Sequence, residues 1–243
     1  MLFPMPESQA SRPKLICIPF AGAGSNAYQD MHPFLAPHFD LLTLEAPGRG
    51  GRQGEPFAKS LEVITLDFFE SVQAVTKGLP FVIFGHSMGA LLAFLLARTL
   101  QAAKASPPSL LIVSGFYPPG RGSFPKFSHL PRDEFIQSLA ALADNPEEPL
   151  LIPELQVILE PILRSDFRLA EAYRHNAVEK LSVPITLFLG KDDFVDFEEG
   201  KAWADETTGP FEIKLFPGKH FFVVKHAEAV AQTILQTCKM IVA

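Results

Sequence analysis

The chain has 243 residues, of which 47% are hydrophobic and 20% are charged. These numbers exclude an intrinsically disordered chain, and we expect one domain with a large core over residues 1–243. The formal net charge is −6, from 21 basic and 27 acidic residues, which disfavours nucleic acid as a partner. The two cysteines, Cys17 and Cys238, match neither a disulfide framework nor a zinc site, so no metal is expected.

The sequence shows neither the pattern of a signal peptide nor that of a membrane-spanning helix. Residues 1–14 lack a basic start followed by an apolar stretch, and the longest strongly apolar runs are far too short to span a bilayer. We therefore expect a cytoplasmic protein without a membrane partner, and we take a monomer as the expected oligomeric state.

Short apolar runs typical of strands alternate with segments of helical periodicity along the chain. The predicted strands cover residues 14–19, 41–44, 81–84, 110–114, 185–189 and 213–216. Helices are predicted near 26–35, 61–75, 90–100, 198–206 and 227–239. This alternation predicts an α/β protein whose mostly parallel central sheet is covered by helices on both faces.

One connection is much longer than the others. About 68 residues lie between the strand that ends near Gly115 and the strand that starts near Pro184, more than one crossover needs. One helix is predicted to begin at Pro131, and a second has apolar residues at helical spacing over 155–162, with a kink expected at Pro161. Such helices form either additional core or a lid, and by fold analogy we interpret 117–182 as a lid insertion.

A short motif predicts a nucleophile. Gly85-His86-Ser87-Met88-Gly89 fits the pattern G-x-S-x-G and lies between an apolar strand and a long helix, as in the nucleophile elbow of the α/β-hydrolase fold. The sharp turn strains the serine backbone and lifts its side chain clear of the sheet, while the neighbouring His86 should point elsewhere. The backbone N–H of Met88 can then face a developing oxyanion.

A serine hydroxyl needs an adjacent base, and this fold supplies the partners in the order serine, acid, histidine. His220 follows the last predicted strand and is our candidate base among the seven histidines. Asp193 follows the preceding strand and is our candidate acid, with Asp192 as the first alternative and Asp196 as the second. Asp192, Asp193 and His220 come just after strand ends, where sites assemble in parallel sheets.

A competing motif precedes the elbow. Residues 22–27 read Gly-Ala-Gly-Ser-Asn-Ala, similar to the G-x-G-x-x-A of dinucleotide-binding folds, and Glu45 stands about 20 residues further on, where a ribose-binding carboxylate would lie. Against this, residues 19–21 separate the strand from the first glycine. The same position also supplies the second oxyanion N–H in a hydrolase, and the serine–acid–histidine order favours that interpretation.

Several segments together resemble the type II thioesterases, the free-standing editing enzymes of polyketide and nonribosomal peptide assembly lines. The matching segments are residues 19–22 (Pro-Phe-Ala-Gly), 47–52 (Pro-Gly-Arg-Gly-Gly-Arg), 84–90 around the serine, 163–167 (Leu-Arg-Ser-Asp-Phe) and 217–222 (Pro-Gly-Lys-His-Phe-Phe). The resemblance implies hydrolysis of acyl groups from the phosphopantetheine arm of acyl or peptidyl carrier proteins, without a cofactor and under a flexible helical lid. It also implies that the N–H groups of Ala21 and Met88 bind the oxyanion, although Gly22-Ala23-Gly24 stands where a Gly-Gly pair is expected.

Other activities fit the same motifs. Medium-chain fatty acyl thioesterases look alike, and an oxygen-ester hydrolase or an acyltransferase would share the serine, acid and histidine. An acidic chain that binds acidic carrier proteins needs a local basic rim. Five cations near the predicted mouth are candidates for this rim: Arg49, Arg52, Arg121, Lys126 and Arg132.

Overall fold

A parallel sheet organises the part of the chain that the structure covers. The protein was analysed as a computed structural model, which describes residues 12–121, 126–143, 152–176 and 179–242. The first 11 residues of the predicted domain and three stretches of the predicted insertion 117–182 lie outside the described residues.

Every strand pair in the described sheet is parallel. Its strands are β1 (Lys14–Ile18), β2 (Asp40–Thr43), β3 (Phe81–His86), β4 (Leu110–Ser114), β5 (Ile185–Gly190) and β6 (Phe211–Phe216), in the order β2-β1-β3-β4-β5-β6. The order reverses between β1 and β3, so the loops that follow these two strands face a crevice at the carboxyl edge. The predicted fold class, an α/β-hydrolase type of sheet, is confirmed.

Both faces of the sheet are covered, because the strand residues alternate between two cores. In β3, Phe81 and Ile83 join a cluster with α2 (Leu61–Thr76) and α3 (Met88–Ala102). Val82 and Phe84 join the opposite cluster with α1 (His32–Leu35) and α8 (Ala227–Thr237). This alternation follows from the two-residue period of a strand. Because β3 has buried side chains on both faces, its position between the two cores is fixed, and so is the start of the turn that follows it.

The remaining α-helices lie in the long connection or in the carboxyl-terminal part of the chain, and three short 3-10 helices are spread along the described ranges. These α-helices are α4 (Arg132–Ala143), α5 (Pro153–Ala172), α6 (Phe197–Gly200), α7 (Phe222–Lys225) and α9 (Lys239–Val242), with 3-10 helices at Gln29–Met31, Gly50–Arg52 and Lys201–Glu206. The helix predicted near 26–35 is thus a 3-10 turn followed by one α-helical turn. No helix in the described ranges is long and apolar enough to cross a membrane.

The long connection contains two helices that pack on each other. Phe135, Ile136 and Leu139 of α4 form a small apolar cluster with Phe167 of α5. The helix α5 runs through Pro161. Arg164 fastens it to the turn before α4, since the guanidinium donates to the carbonyl oxygens of residues 128 and 130 at 2.9 Å each and lies 4.2 Å from the Phe135 ring. The pair is therefore held by side-chain contacts of its own.

Candidate active site

Ser87 occupies a strained position between β3 and α3. Its backbone has φ +56° and ψ −125°, a left-handed conformation that a residue with a side chain adopts only at a cost. The N–H of Ser87 donates to the carbonyl oxygen of Ser114 at the end of β4, at 2.8 Å. The side chain is 6% exposed. The strained backbone and the position between a strand and a helix are those of a nucleophile elbow.

The two glycines of the motif are required by close backbone contacts. A Cβ on Gly85 would lie 2.1 Å from the carbonyl oxygen of Gly89, and a Cβ on Gly89 would lie 2.2 Å from the carbonyl oxygen of Ile18. The turn therefore folds back on itself and presses the start of α3 against the end of β1. Met88 opens α3, and its N–H has no acceptor within the helix because the first N–H groups of a helix never do.

His220 and Asp193 form a hydrogen-bonded pair at the same edge of the sheet. Nδ1 of His220 lies 3.0 Å and 3.2 Å from the two carboxylate oxygens of Asp193. The side chain of Asp193 is fully buried and that of His220 is 4% exposed. Oδ1 of Asp193 also accepts from the N–H of Phe194 at 2.7 Å, which orients the carboxylate. This arrangement leaves Nε2 as the ring nitrogen that can take a proton from a hydroxyl.

The two alternative acids make other contacts. Asp192 is exposed at the surface. Asp196 caps α6, since its carboxylate accepts from the N–H of Glu199 at 2.7 Å. Of the three aspartates weighed from the sequence, Asp193 is the one that contacts His220.

His86 does not simply point away from the candidate base. Its ring lies 4.8 Å from the His220 ring, centroid to centroid, and is completely buried. Nδ1 of His86 lies 2.9 Å from the Ser114 hydroxyl. Burial holds the pKa of His86 well below its usual value, and the charge of a protonated His220 would lower it further. A neutral imidazole therefore supports the ring of His220, a contact that the sequence reasoning missed.

The loop after β1 forms a tight turn beside these histidines. The N–H of Ala23 donates to the carbonyl oxygen of Phe20 at 3.1 Å, and Gly22 has φ +81°, as a type II turn requires at its third residue. Ala21, the predicted oxyanion donor, is the second residue of this turn. The Phe20 ring lies 6.0 Å from the His86 ring and 5.1 Å from the Phe221 ring. The turn is thus adjacent to the residues that flank Ser87 and His220.

Glu45, which the competing motif would assign to a ribose, is engaged by the protein itself. Its carboxylate accepts from the N–H of Ser25 and from the N–H of Gly51, both at 2.8 Å. The carboxylate thereby joins the loop after β1 to the loop after β2. A structural role therefore accounts for this glutamate without a nucleotide.

The prediction that Arg49 belongs to a basic rim around the site is wrong. This arginine is 6% exposed and its guanidinium pairs with the buried carboxylate of Asp166 in α5. Three of the other candidates also pair with carboxylates: Arg52 with Glu55 and Asp67, Arg121 with Asp205, and Arg132 with Glu160. Lys126 is exposed. A buried arginine cannot contact a docking partner, so Arg49 is not a candidate for carrier-protein binding.

Comparisons with known proteins identify the family of the chain. The family model described as a thioesterase domain matches residues 13–238. The gramicidin S biosynthesis protein GrsT of Aneurinibacillus migulanus is 33% identical over 97% of this chain and 93% of its own length. The medium-chain S-acyl fatty acid synthase thioesterase of Homo sapiens is 30% identical over 88% of this chain and 82% of its own length.

A solved structure is similar over the same extent. The type II thioesterase BorB from the borrelidin biosynthetic cluster superposes with a TM-score of 0.86 at 34% identity, covering 94% of this chain and 93% of that one. The chain therefore belongs to the thioesterase domain family and is a hydrolase that acts on thioesters.

Proposed function

We propose that the chain hydrolyses acyl thioesters on the phosphopantetheine arm of acyl or peptidyl carrier proteins, and that it uses Ser87, His220 and Asp193 as a catalytic triad. The observation that carries the proposal is the buried hydrogen bond between Nδ1 of His220 and Asp193, at the same sheet edge as the strained Ser87. Relatives named for gramicidin S and borrelidin biosynthesis support an editing role in such a pathway.

The reaction follows from the roles of these groups. Oγ of Ser87 attacks the thioester carbonyl carbon while Nε2 of His220 takes the hydroxyl proton, and Asp193 stabilises the resulting imidazolium. The N–H groups of Met88 and Ala21 bind the oxyanion, each worth on the order of 3 kcal/mol of transition-state stabilisation. The C–S bond then breaks, and the thiol leaves with the proton from His220. Water, deprotonated by His220, attacks the acyl-enzyme, so that the carboxylic acid and free Ser87 are released.

Replacement of Ser87 tests the mechanism. We expect Ser87→Ala to lose nearly all thioester turnover, with a fall of about a thousandfold or more in kcat, because no other group supplies the attacking oxygen. Thermal unfolding should show that the variant is folded. Turnover by Ser87→Ala at the rate of the unmodified protein would end the triad proposal.

The carrier-protein partner calls for a separate test, because the net charge of −6 gives no overall attraction to an acidic carrier. Arg132 is 52% exposed and pairs with Glu160. We expect Arg132→Glu to raise KM for an acyl-carrier protein while KM for a small acyl thioester stays unchanged. Arg12 is also 52% exposed and also pairs with a carboxylate, but it precedes β1 at the opposite edge of the sheet.

The Arg12→Glu variant is therefore a matched control, and it should change neither constant. Equal effects of Arg12→Glu and Arg132→Glu would contradict docking at the Arg132 face.

A medium-chain fatty acyl thioesterase is the second candidate function, favoured by the similarity to the human enzyme of that name. The two functions differ in the acyl groups that they accept. A hydrolysis profile across chain lengths, measured on carrier-bound and coenzyme A thioesters, separates them. A sharp preference for medium-length saturated chains favours the fatty acyl function, and broad acceptance of short and branched chains favours editing.

A further inference from the structure

The carboxylate of Asp166 joins three segments that are far apart in the sequence. It lies in the middle of α5 and is 1% exposed. Arg49, in the loop after β2, donates to both of its oxygens, with Nη2 2.6 Å from Oδ1. The N–H of Gly22, in the turn after β1, donates to Oδ2 at 2.8 Å. One side chain of the inserted helix therefore holds both loops beside the candidate site.

The buried ion pair between Arg49 and Asp166 is expected to add little to the free energy of unfolding. Both charges are removed from water, and desolvation of a buried pair offsets most of its Coulombic attraction. Nε of Arg49 has no hydrogen-bond partner among the described residues, so even the guanidinium is incompletely satisfied. Such a pair is better explained by the geometry that it imposes than by the stability that it adds.

The geometry that it imposes is the orientation of one peptide group. The peptide between Ala21 and Gly22 is the central peptide of the type II turn, and its N–H points at Asp166. In a type I turn the same peptide is flipped, so its N–H would point away from the carboxylate. Asp166 thus favours the type II form and fixes the backbone dihedrals on either side of that peptide. The N–H of Ala21 precedes it directly.

A second contact from the same face of α5 presses on the same turn. A Cβ on Gly22 would lie 2.5 Å from Cδ2 of Leu163, which is one helical turn before Asp166. Residues three apart in a helix share a face, so Leu163 and Asp166 approach the turn together. The seating of α5 and the shape of the turn are therefore linked by both packing and hydrogen bonding.

We propose that Asp166 is a positioning residue for the oxyanion site: through Gly22 it holds the N–H of Ala21 in place when α5 is seated. The inference rests on the proposed function, since it takes the N–H of Ala21 as an oxyanion donor. It adds that the inserted helix completes the oxyanion site. Arg49 serves the same purpose by holding the carboxylate.

Two double variants separate this role from the ion pair itself. Arg49→Leu with Asp166→Asn removes both charges and keeps a carbonyl oxygen that can accept from Gly22. Arg49→Leu with Asp166→Leu removes both charges and the acceptor. We expect kcat for a small acyl thioester to be about tenfold to a hundredfold lower in the Leu/Leu variant than in the Leu/Asn variant, which is the order of the cost of a misplaced oxyanion donor.

Inhibitor binding gives a readout that a merely structural role would not move. An alkylboronic acid forms a tetrahedral adduct on the serine and needs the oxyanion site, whereas a thioether analogue of the substrate has no carbonyl oxygen. We expect the inhibition constant of the boronic acid to rise by the same factor as kcat falls, while that of the thioether stays unchanged. The midpoint of the pH–rate profile should also stay unchanged, because the His220–Asp193 pair is not altered.

A single variant covers the case in which the Leu/Leu protein does not fold. Asp166→Glu keeps the charge for Arg49 but moves the carboxylate by one methylene, so the same selective loss of boronic acid binding is expected. Equal kcat in the two double variants, or equal weakening of both inhibitors in the variants that fold, would overturn the positioning role. Absence of Ser87-dependent turnover in the unmodified protein would instead refute the proposed function.

Discussion

Replacing Gly89 by alanine tests whether the nucleophile elbow depends on close backbone contact. The added Cβ would lie 2.2 Å from the carbonyl oxygen of Ile18 and 2.5 Å from that of Pro19, whereas ordinary contact begins at 3.4 Å. The start of α3 must therefore move away from the end of β1 by about 1 Å. Because both oxygens belong to the backbone, no side chain can rotate to make room. Met88 is the first residue of α3, so its N–H, a proposed oxyanion donor, moves with the helix.

A displacement of that size should be visible in the rate. A misplacement of about 1 Å near the reacting atoms costs roughly a hundredfold in kcat, and overpacking of this kind costs about 1–3 kcal/mol of unfolding free energy. Both quantities can be measured, with an N-acetylcysteamine thioester as substrate and with urea unfolding. Gly54→Ala is the matched control, since a Cβ there meets nothing within 4 Å. If Gly89→Ala keeps the kcat of the unmodified protein, the backbone-contact argument is wrong.

Two further predictions concern buried titratable groups. Because folded His86 resists protonation and the unfolded chain accepts the proton, the unfolding free energy should fall as the pH drops below about 6.5. Urea unfolding at several pH values should show a weaker dependence in His86→Asn, and an identical dependence would contradict the assignment. Burial raises the pKa of Cys17 and of Cys238 to about 12, so neither thiol should react with a thiol reagent at pH 8 until the chain unfolds. Rapid labelling of the native protein would count against that burial.

The strands and the sheet class could be predicted because their signal is local. Each strand is a short apolar run between turn residues, and β3, for example, is buried along its whole length as its sequence indicates. The positions of Ser87, Asp193 and His220 could be predicted for the same reason, since each follows a recognisable strand. Helix 26–35 was less predictable because its apolar residues pack on α8 from a 3-10 turn and a short α-helix, which the same spacing allows.

The supporting contacts could not be predicted from the sequence, because they join residues that only the fold brings together. Arg49 and Asp166 are 117 residues apart. Both lie in segments that resemble the type II thioesterases, at 47–52 and 163–167, but neither segment indicates that the two residues pair. From the sequence alone Arg49 is expected to be a surface cation, whereas the structure buries it against Asp166. The role of Glu45 cannot be predicted for the same reason, because its partners Ser25 and Gly51 belong to separate loops.

The sequence Gly22-Ala23-Gly24 stands where a Gly-Gly pair is expected, and the conformation of the loop after β1 explains the difference. Glycine allows many backbone conformations, and in this loop two hydrogen bonds restrict them: Asp166 accepts from the N–H of Gly22 and Glu45 accepts from the N–H of Ser25. Within it, Gly22 has a positive φ, whereas Ala23 does not. A side chain at position 23 is therefore free of backbone strain, so alanine can replace the second glycine of the expected pair. The shape of the turn depends on Gly22 and on the carboxylate that holds its N–H, so an alanine at position 23 is compatible with the type II turn that contains the proposed oxyanion donor, Ala21.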